Sequence, residues 1–410
     1  MKIKIFLSFG LAAIFTTVSS AAAAPEPQAV VSAVIARSPH LKALRHEVSA
    51  GQAGARAAAI WDGPRLSVSP GIHDSADGRG RVLGLGLSQR FSLSGRRAAE
   101  SRTLEAQAEA AQWSARGEAL DLEHETWLDL YQLAALGKAK EHLADRRRRM
   151  GLMKGYLASR PILSPALVAE RDLIEVQVRE LESEFDRVET GEAALTHKLE
   201  LLSGLKLDAA PAIEWFDSPL LSSAPPSAHA QSPAVLRAES EVKAAVEALA
   251  ATRSAGLPEP MLGAAYSKES GGTREKLISA ELGVDIPLAA WTGKPGLAAA
   301  EALSAAQART EDSKLDAALD EAFWRAALEE RRRRLARLPL SLVDQLDGQV
   351  DRAEAGLRRA LVPVMTFLEL ESRGHEQIES VYRARIDFLE AVSRLRRLRG
   401  RGFAVSEESL

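Results

Sequence analysis

Apolar positions recur along this chain with two distinct periods, and stretches of the two alternate. Over residues 65 to 91 the period is two. Leu66, Val68 and Ile72 fall on one side, the run Asp74-Ser75-Ala76-Asp77-Gly78 supplies a turn, and Leu83, Leu85 and Leu87 then alternate with Gly84, Gly86 and Ser88. Such alternation predicts a half-buried β-hairpin. A second hairpin is expected over 261–288, with Ile278, Ala280, Leu282, Val284, Ile286 and Leu288 on one face and Ser279, Glu281, Gly283 and Asp285 on the other. The first face suits lipid and the second suits water, so Ser279, Glu281 and Asp285 are candidate lumen-facing positions.

Around the hairpins the apolar period lengthens to that of helices. Residues 27–60 read as one helix of small residues, stopped by Asp62-Gly63-Pro64. Residues 95–158 read as a helix that, at ~1.5 Å per residue, would extend about 95 Å, far too long for a compact domain. A return helix is expected to begin near Pro165. It carries Leu167, Ile174, Leu181, Val188, Leu195 and Leu202 at seven-residue spacing, with Val178, Phe185 and Leu199 in the companion positions and Glu192 as the exception. That pattern predicts a coiled-coil seam. In the second half Ile378, Val381, Phe388, Val392 and Leu395 keep a looser seam, interrupted by Gly374 and Arg385.

The plan is stated twice, about 198 residues apart. Leu93-Ser94-Gly95-Arg96 returns as Trp291-Thr292-Gly293-Lys294, Trp127 as Trp324, and Leu163-Ser164-Pro165 as Leu361-Val362-Pro363. Earlier, Ser38-Pro39-His40-Leu41 answers Ser232-Pro233-Ala234-Val235. A duplicated supersecondary unit accounts for these matches. The expected division is a signal peptide at 1–24, a first repeat at 25–204, a Pro-rich linker at 205–233, a second repeat at 234–402 and a tail at 403–410.

Composition narrows the class. Aromatic residues make up only 5% of the 410, too few for several ordinary globular cores, whereas abundant alanine, leucine and paired charges suit long helices. Lys2 and Lys4, the apolar stretch from Ile5 to about Val18 and Ala21-Ala22-Ala23-Ala24 predict export. No later apolar run is long enough for a spanning helix, so a membrane crossing would need closed β-structure. Four strands cannot close a barrel, which takes at least about eight, so they would be pooled in an oligomer. The absence of cysteine excludes disulfides, thiolate metal sites and an acylated cysteine anchor. A formal net charge of -3 offers nucleic acid no concentrated positive surface. The runs Arg146 to Arg149 and Arg331 to Arg334 lie among acidic residues and are expected on solvated helix exteriors.

Enzyme signatures are weak. Gly84-Leu85-Gly86-Leu87-Ser88-Gln89 starts like a dinucleotide fingerprint but lacks the third glycine and sits within a strand. The histidines are scattered: neither His40 with His46 nor His142 with His124 has the spacing of a helical metal site, and no metal centre is expected.

Taken in order, these residues resemble the outer membrane factors, the TolC-like channels of tripartite efflux pumps and type I secretion, particularly the branch paired with heavy-metal cation pumps. The resemblance spans nearly the whole mature chain. It rests on the repeated order of helix, hairpin, long helix and return helix, and on three local phrases. Gly86-Leu87-Ser88-Gln89-Arg90-Phe91 and Gly283-Val284-Asp285-Ile286-Pro287-Leu288 look like the family's strand endings, and Leu163-Ser164 through Ala169-Glu170 looks like its return-helix start. The resemblance implies a mainly α fold with a membrane β part. A homotrimer would complete a twelve-stranded barrel in outer-membrane lipid, continued by a periplasmic tunnel to an adaptor protein and an inner-membrane pump of the resistance-nodulation-division type. No catalysis, cofactor or nucleic acid is implied.

Adaptor docking would fall on the helix-turn-helix tips, at Pro161, Ile162, Leu163 and Ser164 and at Leu361, Val362 and Pro363. Glu369 or Glu371 would narrow the periplasmic aperture. The tips lack the glycine that many relatives carry, and the cysteine of the mature N-terminus is missing too. Two other readings stand beside this one: a soluble periplasmic coiled-coil scaffold whose hairpins are local caps, and, within the family, a drug-efflux or type I secretion channel.

Overall fold

The computed structural model describes residues 25–75, 78–158, 165–207, 213, 232–270, 276–288, 290–359 and 361–403. The expected signal peptide, the first tip at Pro161, Ile162, Leu163 and Ser164, and most of the linker lie outside these residues.

Each half of the chain lays down a helical entrance, a hairpin and a pair of long helices. In the first half these are α1 (Pro27–Arg37), α2 (Pro39–Ala59), β1 (Arg65–Ser75), β2 (Gly78–Arg90), α3 (Arg96–Ala158) and α4 (Pro165–Ser203). In the second they are α5 (Pro233–Ser254), β3 (Glu259–Ser270), β4 (Lys276–Asp285), α6 (Lys294–Arg337), α7 (Ser341–Arg358) and α8 (Val364–Leu398). The single helix expected over 27–60 is broken at Ser38. The following Pro39 drives residue 38 out of helical geometry, and the Ser38 hydroxyl then caps α2 by accepting from the Leu41 amide at 3.3 Å. Ser232 and Pro233 open α5 with the same backbone turn but without the hydroxyl cap. Gly95 and Gly293 precede α3 and α6 with φ of +75° and +74°, a left-handed geometry that favours glycine. Two Ser-Pro starts and two left-handed glycines at matching places are the backbone counterpart of the duplicated sequence.

The long helices pack as the apolar stripes demand. Leu143, Met150, Met153 and Leu157 of α3 meet Ile174, Leu181 and Val188 of α4, Val350 and Leu357 of α7, and Val364, Phe367 and Leu368 of α8 in one continuous core. Phe367 is fully buried there, and its truncation to alanine would cost about 3–5 kcal/mol. The seam residues that broke the pattern each have a partner. Glu192 accepts from Lys140 of α3 at 2.8 Å. A Cβ at Gly374 would stand 3.3 Å from Val350 Cγ2, so the glycine lets α7 and α8 approach closely. Arg385 is wholly buried and donates to the Leu338 and Val381 carbonyls, at 3.1 and 2.8 Å, beside the Pro339 interruption that separates α6 from α7. Leu202, the last heptad position of α4, stands largely exposed, so the seam ends before it.

At the other end α1 closes on α3 and α4 through Val30, Val31, Leu130, Leu133 and Leu199. Phe403, the first residue of the expected tail, is buried: it stacks on Trp127 at 5.5 Å and its amide donates to Glu123 at 2.8 Å.

The four strands form one antiparallel sheet in the order β1-β2-β3-β4, so the two hairpins join through β2 and β3. Of the described strands, β1 and β4 are the edges.

Candidate functional site

The sheet is built in two faces. Opposed residues of an antiparallel pair share a face, and alternation along each strand then assigns every position. The registers Leu66 with Leu87, Val68 with Leu85, Leu87 with Ala264, Tyr266 with Ile278 and Leu262 with Leu282 put these side chains together on one surface. That surface is uncovered: Ile278 and Leu282 are each 80% exposed, and Leu66, Val68, Leu85, Leu87, Leu262 and Val284 are exposed beside them. A contiguous apolar face of this size marks a surface made to meet lipid or another protein.

The opposite face carries Ser67, Ser69, Gly84, Gly86, Ser88, Gly263, Ala265 and Ser267, joined by Ser279, Glu281 and Asp285 of β4. Arg90 of β2 pairs with Asp285 across the sheet. Gly84 lies mid-strand opposite Ser69, so the fingerprint-like Gly84-Leu85-Gly86 run is sheet backbone with no helix start behind it to hold a phosphate.

At the far end of the helical body, the described tip residues divide in role. Leu361 is 74% exposed, its amide tied to the Gly356 carbonyl at 2.9 Å. Val362 folds back on Gly356 and onto the core, and Pro363 caps the start of α8. Leu361 and Pro363 are therefore exposed, and Val362 is the one of the three turned inward.

Glu369 is exposed and pairs with Arg373 one turn on, at 2.6 Å. Glu371 corrects the reading that offered it as an aperture residue. It is 2% exposed and accepts from Arg146 Nε with both oxygens at 2.9 Å, inside the protein. The arginine runs need the same correction. Arg147 and Arg148 are exposed, but Arg146 and Arg149, three residues apart on α3, turn inward, and Arg149 is buried with its donors on Asp351 and Glu354. Arg331 and Arg334 likewise reach Glu390 and Asp387 of α8. In a helix of 3.6 residues per turn the first and fourth members of a four-arginine run share one side and the two between them face away, so such a run cannot lie on one surface.

Two histidine settings went unread in the sequence. His124 is buried, with Nε2 2.9 Å from the Arg401 carbonyl and Nδ1 3.0 Å from the Ser393 hydroxyl. A carbonyl can only accept, so Nε2 carries the proton, and burial holds the imidazole pKa below its ordinary value. His142 and His375 stack in parallel at 5.1 Å, and burial lowers both to about 4. His375 also lies close to Glu184 of α4 and Glu379 of α8, a group whose ligand atoms all fall within 4.8 Å of one another. His375 and Glu379 are four apart on one helix, a signal visible in the sequence. Glu184 lies on a different helix, far away in the chain.

A family model described as outer membrane efflux protein matches residues 30–149. No curated protein matches by sequence. Solved structures match across nearly the whole chain. CusC aligns at 16% identity and a TM-score of 0.75, covering 92% of both chains. The CmeC outer membrane channel of Campylobacter jejuni aligns at 12% and 0.74, covering 99% of this chain and 95% of its own. The outer membrane protein VceC of Vibrio cholerae aligns at 15% and 0.72, covering 92% and 97%. Residues 30–149 are thus similar to the outer membrane efflux protein family, and the chain as a whole shares the fold of these solved structures.

Proposed function

We propose that this chain is one protomer of a trimeric outer-membrane conduit with no active site of its own, in which three four-stranded sheets close a twelve-stranded barrel. The observation that carries this reading is the uncovered apolar face running across all four strands, backed by a face of glycine, serine, Glu281 and Asp285. Strands of 10 to 13 residues are long enough to cross hydrocarbon when tilted. Closing the β1 and β4 edges against neighbouring copies would satisfy backbone groups that lipid cannot. Ser279, Glu281 and Asp285 would then face the lumen.

The helical body would form a periplasmic tunnel, with Leu361 and the first tip meeting an adaptor protein and Glu369 placed to narrow the aperture. Energy would come from an inner-membrane pump, proposed to be of the resistance-nodulation-division type. The proposed cargo is heavy-metal cations, on the likeness of the strand endings and the return-helix start to that branch of the family.

The test is membrane fractionation followed by the mass of the detergent-extracted particle. A trimer from the outer membrane is expected, whereas a soluble monomer or dimer in the periplasmic fraction would defeat the barrel and favour a scaffold.

A further inference from the structure

We infer that Glu184, His375 and Glu379 form a binding site for one divalent transition-metal ion of the zinc class, which ties helix α4 of the first repeat to helix α8 of the second. The inference is independent of the conduit reading, because all three residues belong to one protomer.

The distances suit coordination better than hydrogen bonding. His375 Nε2 lies 3.5 Å from Glu184 Oε1 and 3.8 Å from Glu379 Oε1, too far for an N–H···O bond. Two donors bound at about 2.1 Å to a tetrahedral zinc stand roughly 3.4 Å apart, so shifts of well under 1 Å would seat an ion between them.

His375 supplies the second observation. It is 5% exposed, and neither ring nitrogen has a hydrogen-bond partner among the described residues. A buried polar group left in that state is destabilising, and a bound cation would offset the loss. The plain alternative is a packed histidine that only stacks on His142, but stacking leaves the nitrogen facing two carboxylates unexplained.

The carboxylates are already oriented for the task. Glu184 turns Oε1 toward His375, with the exposed Arg187 guanidinium 3.6 Å from the same oxygen, and Oε2 toward Arg146, at 3.7 Å. Glu379 does likewise, with Oε1 toward His375 and Oε2 toward Arg383, at 3.6 Å. Each acid is thus steadied from its outer oxygen by an arginine, the supporting arrangement that metal-ligating carboxylates use. Arg146 is drawn off the site by Glu371, which binds its Nε with both oxygens.

Two carboxylates and one imidazole supply two negative charges and a nitrogen donor, a set that favours zinc-like ions over calcium or magnesium. A cleft of about 260 Å³ bordered by His142, His375, Glu379 and Tyr382 leads to the imidazole. A three-residue set leaves a fourth position open to water.

The test uses the untagged full-length protein in detergent, stripped with chelator, titrated with Zn²⁺ by calorimetry and assayed for bound zinc after gel filtration. About one zinc per chain is expected, with a raised melting temperature and no comparable response to Ca²⁺ or Mg²⁺. His375→Gln and Glu379→Gln should each weaken binding at least ten-fold and abolish the melting shift. Glu379 is one-third exposed, so its variant keeps the fold if the buried His375 variant does not. No stoichiometric zinc, or an unchanged zinc content and melting shift in Glu379→Gln, would overturn the site.

Discussion

Arg146 and Glu371 offer a quantitative test of how the two helical pairs are held together. Glu371 is 2% exposed and Arg146 13%, and both carboxylate oxygens sit 2.9 Å from Nε. Removing one partner of such a pair strands a charge in the interior, at a cost of about 3–5 kcal/mol, while replacing both by apolar residues of similar size is close to neutral. Glu371→Leu is expected at the low end, since Arg146 can turn to Glu184, already 3.7 Å away. Arg146→Met leaves the carboxylate without its main counter-charge and should lie higher. The double variant should melt close to the wild type. Coupling of this size is measured by thermal denaturation of the single and double variants at one protein concentration, with chelator present so that any bound metal plays no part.

Acid separates the two single variants further. Burial already pushes the Glu371 pKa above its ordinary value despite Arg146, and the loss of Arg146 raises it more. A carboxyl whose folded-state pKa is raised binds more protons folded than unfolded, so stability rises as pH falls through the folded value. Arg146→Met should therefore regain stability relative to wild type as pH falls toward the ordinary carboxylate range, and Glu371→Leu should not. Single variants melting within a degree of wild type, or a double variant as damaged as the two singles combined, would refute the reasoning.

Three other outcomes are expected. Leu282→Arg, on the apolar face of β4, should cost about 2–4 kcal/mol at mid-membrane and reduce trimer recovered from the outer membrane, whereas Glu281→Ala on the opposite face should leave assembly unchanged; equal recovery of both variants would argue against a lipid-facing sheet. Leu361→Asp should weaken adaptor pull-down and efflux with the trimer intact, while Val362→Asp should also lower the melting temperature because Val362 packs on the core; normal efflux in Leu361→Asp would remove the tip from the docking site. His124 is held neutral by burial, with a folded-state pKa below that of the unfolded chain, so its contribution is present above about pH 6.5 and is lost as pH falls through the folded value. His124→Gln should flatten the fall in melting temperature from pH 6.5 to 5, and an unchanged slope would show that other groups govern it.

What could be read from the sequence was whatever local geometry writes with a short period. The two-residue alternation of Ile278, Ala280, Leu282 and Val284 located β4 and its faces, and the seven-residue spacing of Ile174, Leu181 and Val188 located the buried side of α4, because in both cases one backbone period decides which side chains meet solvent. The departures from those patterns were also visible, but their causes were not. Glu192, Gly374 and Arg385 looked like faults in a seam, and each is explained by a partner on another helix: Lys140, Val350 and the Leu338 carbonyl. No period within one helix encodes its rotation against a helix two hundred residues away.

The same reason accounts for the misread charges. Arg146, Arg149 and Glu371 look solvated in sequence because they sit in polar neighbourhoods, yet once the repeats dock Arg146 meets Glu371 of α8 and Arg149 meets Asp351 and Glu354 of α7. The apolar core of Leu143, Ile174, Val350 and Phe367 makes that docking favourable without being specific about register, since leucine and valine tolerate small slides. The buried pairs are specific, because a displacement of one helical turn would leave Arg149 and Glu371 in the interior without counter-charges. If the helical pairs move against each other during opening, these contacts set its cost, and the arginines that looked like surface decoration become the residues at which opening would be tuned.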